Sequence, residues 1–388
     1  MHIVLFDGNA RASLLPLTFT RPVGDLRIGI LTIAEKWARR TGATVGFKTE
    51  TYLSKKFPEG KQGEATYIEG GLCPTPALVK AVLSLAPGQS LHWKGQPVAY
   101  RSGQGSLDPI LVEDASAVRI QELWHLFQFN GQELERDFDL VTKDRVSIPV
   151  HESNTIIGDR FFAEPGAKAW ASVFNTTSGP IYLGVNAEVM EGTVVRGGLS
   201  IGEGAQVKMA SKIYGPTTIG PECRVGGEVN NCVLWGYSNK GHDGFLGNAV
   251  VGQWCNLGAD TNNSNLKNNY EEVKLWNYSH SRFVTSGLQF CGLIMADHSK
   301  TGINTMLNTG TVIGVSCNVF GSGFPRNFIP DFSWGGPQGL SEYTLEKALA
   351  TAERVMERRG KSVGGMESAI LSEIYAKTSD FRRGTTLA

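Results

Sequence analysis

Leu183-Gly184-Val185-Asn186-Ala187-Glu188-Val189-Met190-Glu191-Gly192-Thr193-Val194-Val195-Arg196-Gly197-Gly198-Leu199-Ser200-Ile201 puts an aliphatic residue at every sixth place. The series continues through Val207, Ile213, Ile219 and Val225. Four positions after each aliphatic stand Ala187, Thr193, Leu199, Ala205, Ser211, Thr217, Cys223 and Val229, most of them small. A six-residue period suits neither a 3.6-residue helix nor a strand of period two. It suits a hexapeptide repeat, in which three short strands and three corners form one coil that stacks on the next. The aliphatic faces inward, the small residue fits beside a corner, and Gly or Asn relieves the backbone there.

Outward from this stretch the frame slips by two residues within 226–232. It is expected to resume at Val233, Asn239, Phe245, Val251 and Leu257, with Ala249, Cys255 and Thr261 in the small places. A long irregular stretch occupies 262–293. The last coils read Met295, Thr301, Leu307, Ile313 and Val319, with Ser299, Thr305, Thr311 and Cys317 as small partners. Such breaks are where loops leave a solenoid, and loops on a rigid scaffold often carry function. His242 follows one break and Asn265 lies in the next.

Before the repeat, strand-like and helical stretches alternate, which favours an α/β layer. Strands are expected at 2–6, 44–47, 66–69, 91–93 and 97–100. Helices are expected at 28–40 and 75–85, the latter with Pro76 in its first turn. After the repeat, Leu345, Ala348, Leu349, Ala352, Val355 and Met356 mark one face of a helix over 344–359. The expected organisation is an α/β domain over 1–155, a parallel β-helix over 156–335 and a helical tail over 336–388.

Composition narrows the function. Lys+Arg and Asp+Glu are 37 each in 388 residues, so no electrostatic footprint for nucleic acid exists. Cys73, Cys223, Cys232, Cys255, Cys291 and Cys317 show no CxxC spacing. Three of them fall on small inward places and read as core thiols, not ligands or disulfides. With neither a signal peptide nor an apolar run of spanning length, a cytoplasmic chain without membrane contact is expected.

Several long motifs carry a family resemblance over nearly the whole chain. They are Leu14-Leu15-Pro16-Leu17-Thr18-Phe19-Thr20-Arg21-Pro22, Leu26-Arg27-Ile28-Gly29-Ile30, Gly179-Pro180-Ile181-Tyr182, Gly226-Gly227-Glu228 and His242-Asp243-Gly244-Phe245-Leu246-Gly247. Trp254-Cys255-Asn256-Leu257-Gly258-Ala259, Ser264-Asn265-Leu266-Lys267 and Thr301-Gly302-Ile303-Asn304 complete the set. The chain resembles the alternate bacterial type of the bifunctional UDP-N-acetylglucosamine diphosphorylase/glucosamine-1-phosphate N-acetyltransferase. That resemblance implies a nucleotidyltransferase-like α/β domain, a left-handed parallel β-helix and a homotrimer. It also implies acetyl-CoA and UTP as substrates, a sugar phosphate as acceptor, and Mg2+ for the first domain if that domain is active.

Acetyl transfer from a thioester to an amine needs a base that works near neutral pH, and imidazole meets that need. By the resemblance His242 is the general base, while Phe245, Asn256 and Asn265 line the acceptor. Charge and position make Lys240 the candidate for the sugar phosphate, and Lys300 with Thr301 the candidates for coenzyme A. Two places depart from the better-known pattern. Phe245 lacks the hydroxyl of a tyrosine, and Asn230 stands where a second basic residue is expected. In the first domain Phe6-Asp7-Gly8-Asn9-Ala10-Arg11 carries one glycine where such domains have a Gly-rich loop. Arg11 and Arg21 are the candidates for the nucleotide phosphates, and Glu69 is the candidate metal ligand. A trimmed working uridylyltransferase and a remnant that binds sugar nucleotide or aids assembly both stay open. A β-helical zinc carbonic anhydrase would need three converging histidines, for which only His242, His280 and His298 are available in the repeat region. An ice-binding solenoid would show an outward Thr/Ser ladder, and none runs through the coils.

Overall fold

A computed structural model describes residues 1–60, 63–104 and 107–383. Their contacts divide into two compact units. The first holds Met1–Arg27 and Leu31–Leu123, and the second holds Ile28–Ile30 and Trp124–Ala388.

The first unit is built on a six-stranded sheet in the order β2-β1-β3-β5-β4-β6. Its strands are β1 (His2–Phe6), β2 (Thr44–Lys48), β3 (Thr66–Glu69), β4 (Ser90–Trp93), β5 (Gln96–Arg101) and β6 (Ile110–Val112). β1 pairs in parallel with both β2 and β3, and its Ile3-Val4-Leu5 run is fully buried, as a central strand covered on both faces should be. Helix α1 (Ala10–Ser13) follows β1, and α2 (Ile33–Thr41) makes the crossover to β2. The helix expected from residue 28 begins at Ile33 because Thr32 and Glu35 form a reciprocal capping box. Ile28–Ile30 instead belong to the second unit. There Asn130 Oδ1 accepts from Gly29 N at 2.8 Å, and Thr218 Oγ1 donates to Gly29 O at 2.8 Å. Helix α3 (Pro76–Ser84) begins as expected, with Pro76 in its first turn and Thr75 as its cap. β4 and β5 meet at a tight turn in which Lys94 and Gly95 both have positive φ.

The second unit begins with α4 (His125–Gln128) and α5 (Asn130–Thr142) and continues as the solenoid. Three parallel ladders wind around it. One face runs from Thr155–Ile157 to Phe245–Gly247 in six strands, and a second runs from Phe161–Ala163 to Phe328–Ile329 in nine. The third runs from Lys168–Ala169 to Asn239–Lys240 and resumes at Lys300–Thr301. Single bridges from Asn239 to Asn256 and from Asn256 to Lys300 join its two parts. This is the left-handed, hexapeptide-repeat class of parallel β-helix, and the other unit is an α/β layer. All eight aliphatics from Leu183 to Val225 are at most 1% exposed, and all eight of their small partners are completely buried. Gly220 is required by packing, since a Cβ there would collide with the carbonyl oxygen of Trp235 in the next coil.

The expected second frame needs one correction. The ladders pair Ile219 with Leu234, Val225 with Lys240, and Val229 with Leu246. Leu234, Lys240 and Leu246 therefore take the inward column, and Asn239 and Phe245 turn outward. The cause is a shorter corner: Asn231 alone, at φ +52, makes the turn that Gly215-Pro216 make one coil earlier. A one-residue shift exchanges inward for outward along a strand. The expected frame holds again from Val251 and Leu257 onward, and the last coils bury Met295, Leu307, Ile313 and Val319 as expected.

The irregular stretch contains an antiparallel hairpin, Lys274–Asn277 with Arg282–Thr285. Helices α6 (Leu345–Glu357), α7 (Gly365–Lys377) and α8 (Ser379–Arg383) follow the solenoid. Ala348, Ala352 and Met356 of the expected stripe are buried.

Candidate functional site

A cleft of 770 Å³ opens within the second unit, between the third face of the solenoid and the end of α6. His242, Asn256 and Lys300 all line it, together with Gly241, Gly258 and Ala259. The motif places His242 and Asn256 thus come together, although a full coil separates them. His242 is exposed, sits in the corner after Lys240, and its ring has no hydrogen-bond partner among the described residues. Asn256 Oδ1 lies 3.4 Å from Asn239 Nδ2, and Asn239 Oδ1 accepts from Arg359 Nη2 at 3.2 Å. A chain of polar contacts therefore runs from the motif residue to the C-terminal helix.

The inward column determines what Lys240 does. It is only 1% exposed, and its ammonium donates to the carbonyls of His242 (2.5 Å), Asp243 (3.0 Å) and Gly226 (3.3 Å). Burial lowers its pKa to about 8. The structure places this charge inside the corner that presents His242, not in the cleft. Thr301 is likewise internal, since its hydroxyl meets that of Thr261 at 2.8 Å and accepts from Gly258 N. Lys300 reaches the cleft, though its Nζ donates to His298 O at 2.7 Å and burial lowers its pKa. Phe245 and Asn265 are not brought to the cleft. Phe245 lines a separate groove on the first face with Lys212, Glu228, Asp243 and Asp260, and Asn265 Nδ2 donates to Asn248 Oδ1 at 2.8 Å.

Sequence reasoning missed four cations and two rings. Lys208, Arg224, Arg358 and Arg359 line the cleft, and no Asp or Glu does so among the described residues. Glu222 stands behind them, 3.5 Å from Arg224 and 4.0 Å from Arg359. Burial first, and then the charge of Arg224, lowers the pKa of both Lys208 and Arg359. Tyr237 and Trp254 stack with centroids 4.2 Å apart and planes 17° apart. Both occupy the same corner of successive coils at φ +55 and +61, a left-handed conformation that ordinary side chains adopt at a cost of roughly 1–2 kcal/mol. Lys208 and Arg224 were legible as outward neighbours of Val207 and Val225. The arginine pair was not, because only docking of α6 brings it to the solenoid.

The expected residues of the first unit lie at the carboxyl ends of parallel β1 and β3, where ligands bind in open α/β sheets. Their charges are matched to one another. Arg11 meets Asp7 at 2.9 Å, Arg21 meets Asp25 at 3.3 Å, and Arg119 meets Glu69 at 2.6 Å. Asp7 also accepts from Val23 N at 2.7 Å and from Thr49 Oγ1 at 2.5 Å. No group of three or more His, Cys, Asp or Glu able to hold a metal ion occurs among the described residues. With Arg119 against its carboxylate, Glu69 does not fit a magnesium ligand. The zinc alternative finds no support from placement either. His242 lies on the cleft, His280 pairs with Asn277, and His298 is buried at 3.8 Å from Glu367.

The chain thus comprises a hexapeptide-repeat β-helix and an α/β unit. Residues 3–146 match the sugar nucleotidyl transferase family model. The chain is similar to the bifunctional protein GlmU of Synechococcus elongatus, 28% identical over 165 residues, covering 40% of this chain and 32% of that one. It is also similar to the bifunctional sugar-1-phosphate nucleotidylyltransferase/acetyltransferase of Sulfurisphaera tokodaii, 31% identical over 93 residues, covering 24% and 23% of the two chains. The matches thus span about a third or less of these relatives. Among solved structures, an Arabidopsis UDP-N-acetylglucosamine acyltransferase aligns with 60% of this chain and 94% of its own at 12% identity and a TM-score of 0.30.

Proposed function

We propose that the cleft transfers an acetyl group from acetyl-CoA to the amine of an amino-sugar 1-phosphate, with His242 as general base. The observation that carries this reading is the exposed, unpartnered imidazole on a cation-lined cleft free of carboxylates. The amine nitrogen attacks the thioester carbonyl, and His242 takes the proton that the nitrogen sheds. As the carbon–sulfur bond breaks, that proton passes to the departing thiolate. Asn256 offers an amide beside the base for a polar group of the acceptor. Lys300 and the arginines offset the negative charge of two phosphorylated substrates, which an acidic wall would repel.

The expected result for His242→Ala is a fall in kcat of about 10²–10⁴ in coenzyme-A-dependent acetylation of glucosamine 1-phosphate, as loss of a general base gives. Its unfolding midpoint should not change, since the side chain is exposed. Wild-type turnover in that variant would remove the assignment.

For the first unit, the family match supports uridylyl transfer from UTP to the sugar 1-phosphate. The pairing of Arg11 with Asp7 and of Arg119 with Glu69 favours a second reading, a sugar-nucleotide-binding or assembly scaffold. Release of pyrophosphate from UTP and N-acetylglucosamine 1-phosphate with Mg2+ decides between them, and no release is the scaffold's result. The resemblance implies a homotrimer. Light scattering tests the assembly. No helix of the described residues is long and apolar enough to cross a membrane.

A further inference from the structure

The lining of the cleft beyond His242 and Asn256 has a composition that base chemistry at His242 does not require. It carries two stacked rings, Tyr237 on Trp254, and four cations, of which Arg358 and Arg359 come from the end of α6. We propose that Lys208, Arg224, Tyr237, Arg358 and Arg359 form a nucleotide subsite. A base stacks on Tyr237 with Trp254 as its backing, and a phosphate or pyrophosphate group sits among the cations. The proposal rests on reading the cleft as the transfer site and names the residues that hold the nucleotide part of a substrate.

Three independent features support it. Arg358 is exposed and has no partner among the described residues, so its five donors are available. Arg224 is fixed through Nη1 by the carbonyls of Gly204, Glu222 and Cys223, Arg359 by Asn239, and the Glu222 carboxylate lies within 4.0 Å of both, which holds the pair in place before an anion arrives. Burial first, and then the charge of Arg224, lowers the pKa of Lys208 and of Arg359, and an anion seated among these cations would offset the second cause. Tyr237 and Trp254 occupy the left-handed corner that Asn186, Gly204, Glu222 and His298 occupy in other coils, so the fold supplies the position and the stacked rings are what is particular to the cleft.

A base with attached phosphates describes both coenzyme A and a uridine diphosphate sugar, and competition separates them. Calorimetry on the full chain would use coenzyme A, adenosine 3′,5′-bisphosphate, UDP-N-acetylglucosamine and pyrophosphate as probes. Tyr237→Asn, which suits the left-handed corner, should weaken nucleotide binding about tenfold and leave pyrophosphate unchanged, given the value of base–aromatic stacking. Arg359→Gln and the exposed Arg358→Ala should weaken every probe, Arg359→Gln by about tenfold or more, as loss of a charged hydrogen bond predicts. Displacement of coenzyme A by the adenosine bisphosphate and not by the UDP sugar assigns the subsite to the donor; the reverse pattern assigns it to the acceptor. Wild-type affinities in all three variants, or no binding of any probe, overturn the subsite. His242→Ala keeps the two readings apart, since it should lose turnover and keep affinity. If it keeps turnover while the subsite variants bind weakly, the base assignment falls and the subsite stands.

Discussion

Arg11, Arg21 and Arg119 in the first unit each face a carboxylate, whereas the cleft of the second unit collects Lys208, Arg224, Lys300, Arg358 and Arg359 with no Asp or Glu among its described lining residues. Both units set buried charge against charge, as Arg119 with Glu69 and Arg145 with Glu164 show. The solenoid sets an ammonium, Lys240, against backbone carbonyls and stores thiols in its core. A cation in a motif is thus no guide to a cation available for substrate. What its neighbours have already claimed decides that.

The largest test of this contrast is alkaline pH. Burial raises the pKa of the Cys232, Cys255 and Cys291 thiols to about 12 and pushes Cys317 up as well. Their stabilisation is complete below the unfolded value of 9.0 and is lost as pH rises towards 12. For the three thiols together the loss is about 4 kcal/mol by pH 10. Lys240 acts in the opposite sense. Its folded pKa is depressed to about 8 from 10.5, so the unfolded chain binds more protons between these values. Stability therefore gains about 2–3 kcal/mol as pH rises through that window. The solenoid should hold much of its stability to about pH 10 and lose it steeply above, whereas Lys240→Met should begin losing it near pH 9. Coincident pH profiles for the two proteins in urea titrations would contradict this account of the core.

Next in size is Arg119→Ala, which strands a Glu69 carboxylate that is only 4% exposed. Loss of about 3 kcal/mol in the unfolding free energy of the first unit is expected, as for a buried pair broken on one side. The smallest effect belongs to Arg358→Ala. With no partner to strand, it should change stability by less than about 0.5 kcal/mol, in keeping with other surface changes. Equal costs for these two arginines would erase the distinction between claimed and available charge.

Much of the second unit was legible because each coil repeats the same demand: a six-residue spacing that buries Leu183 to Val225 states it eight times over. Legibility failed at Asn239 and Phe245, where a corner one residue shorter carries no signal except Asn231, and there it misplaced Lys240. His242 and Asn256 were readable from motif spacing. Arg358 and Arg359 were not, since α6 reaches the cleft by tertiary docking and helical periodicity reports only which face is apolar. In the first unit the strands and helices were largely legible, and helix α2 started late only because of Thr32. The pairing of Arg119 with Glu69 joins residues fifty positions apart and leaves no local trace.

The hairpin between the coils has a thermodynamic consequence for how this chain can vary. Neighbouring coils ordinarily pair across a step of 18 residues, as Ile181 does with Leu199, but Val250 pairs with Ile294 across 44. Loop-closure entropy grows only with the logarithm of length, so the longer excursion costs about 0.8 kcal/mol more than an ordinary coil. One face of the prism gives up its ladder there while the nine-stranded face continues unbroken. The solenoid can thus lengthen, shorten or exchange this segment at less than the stability of one good helix cap. Residues on either side of it keep their register whatever it carries.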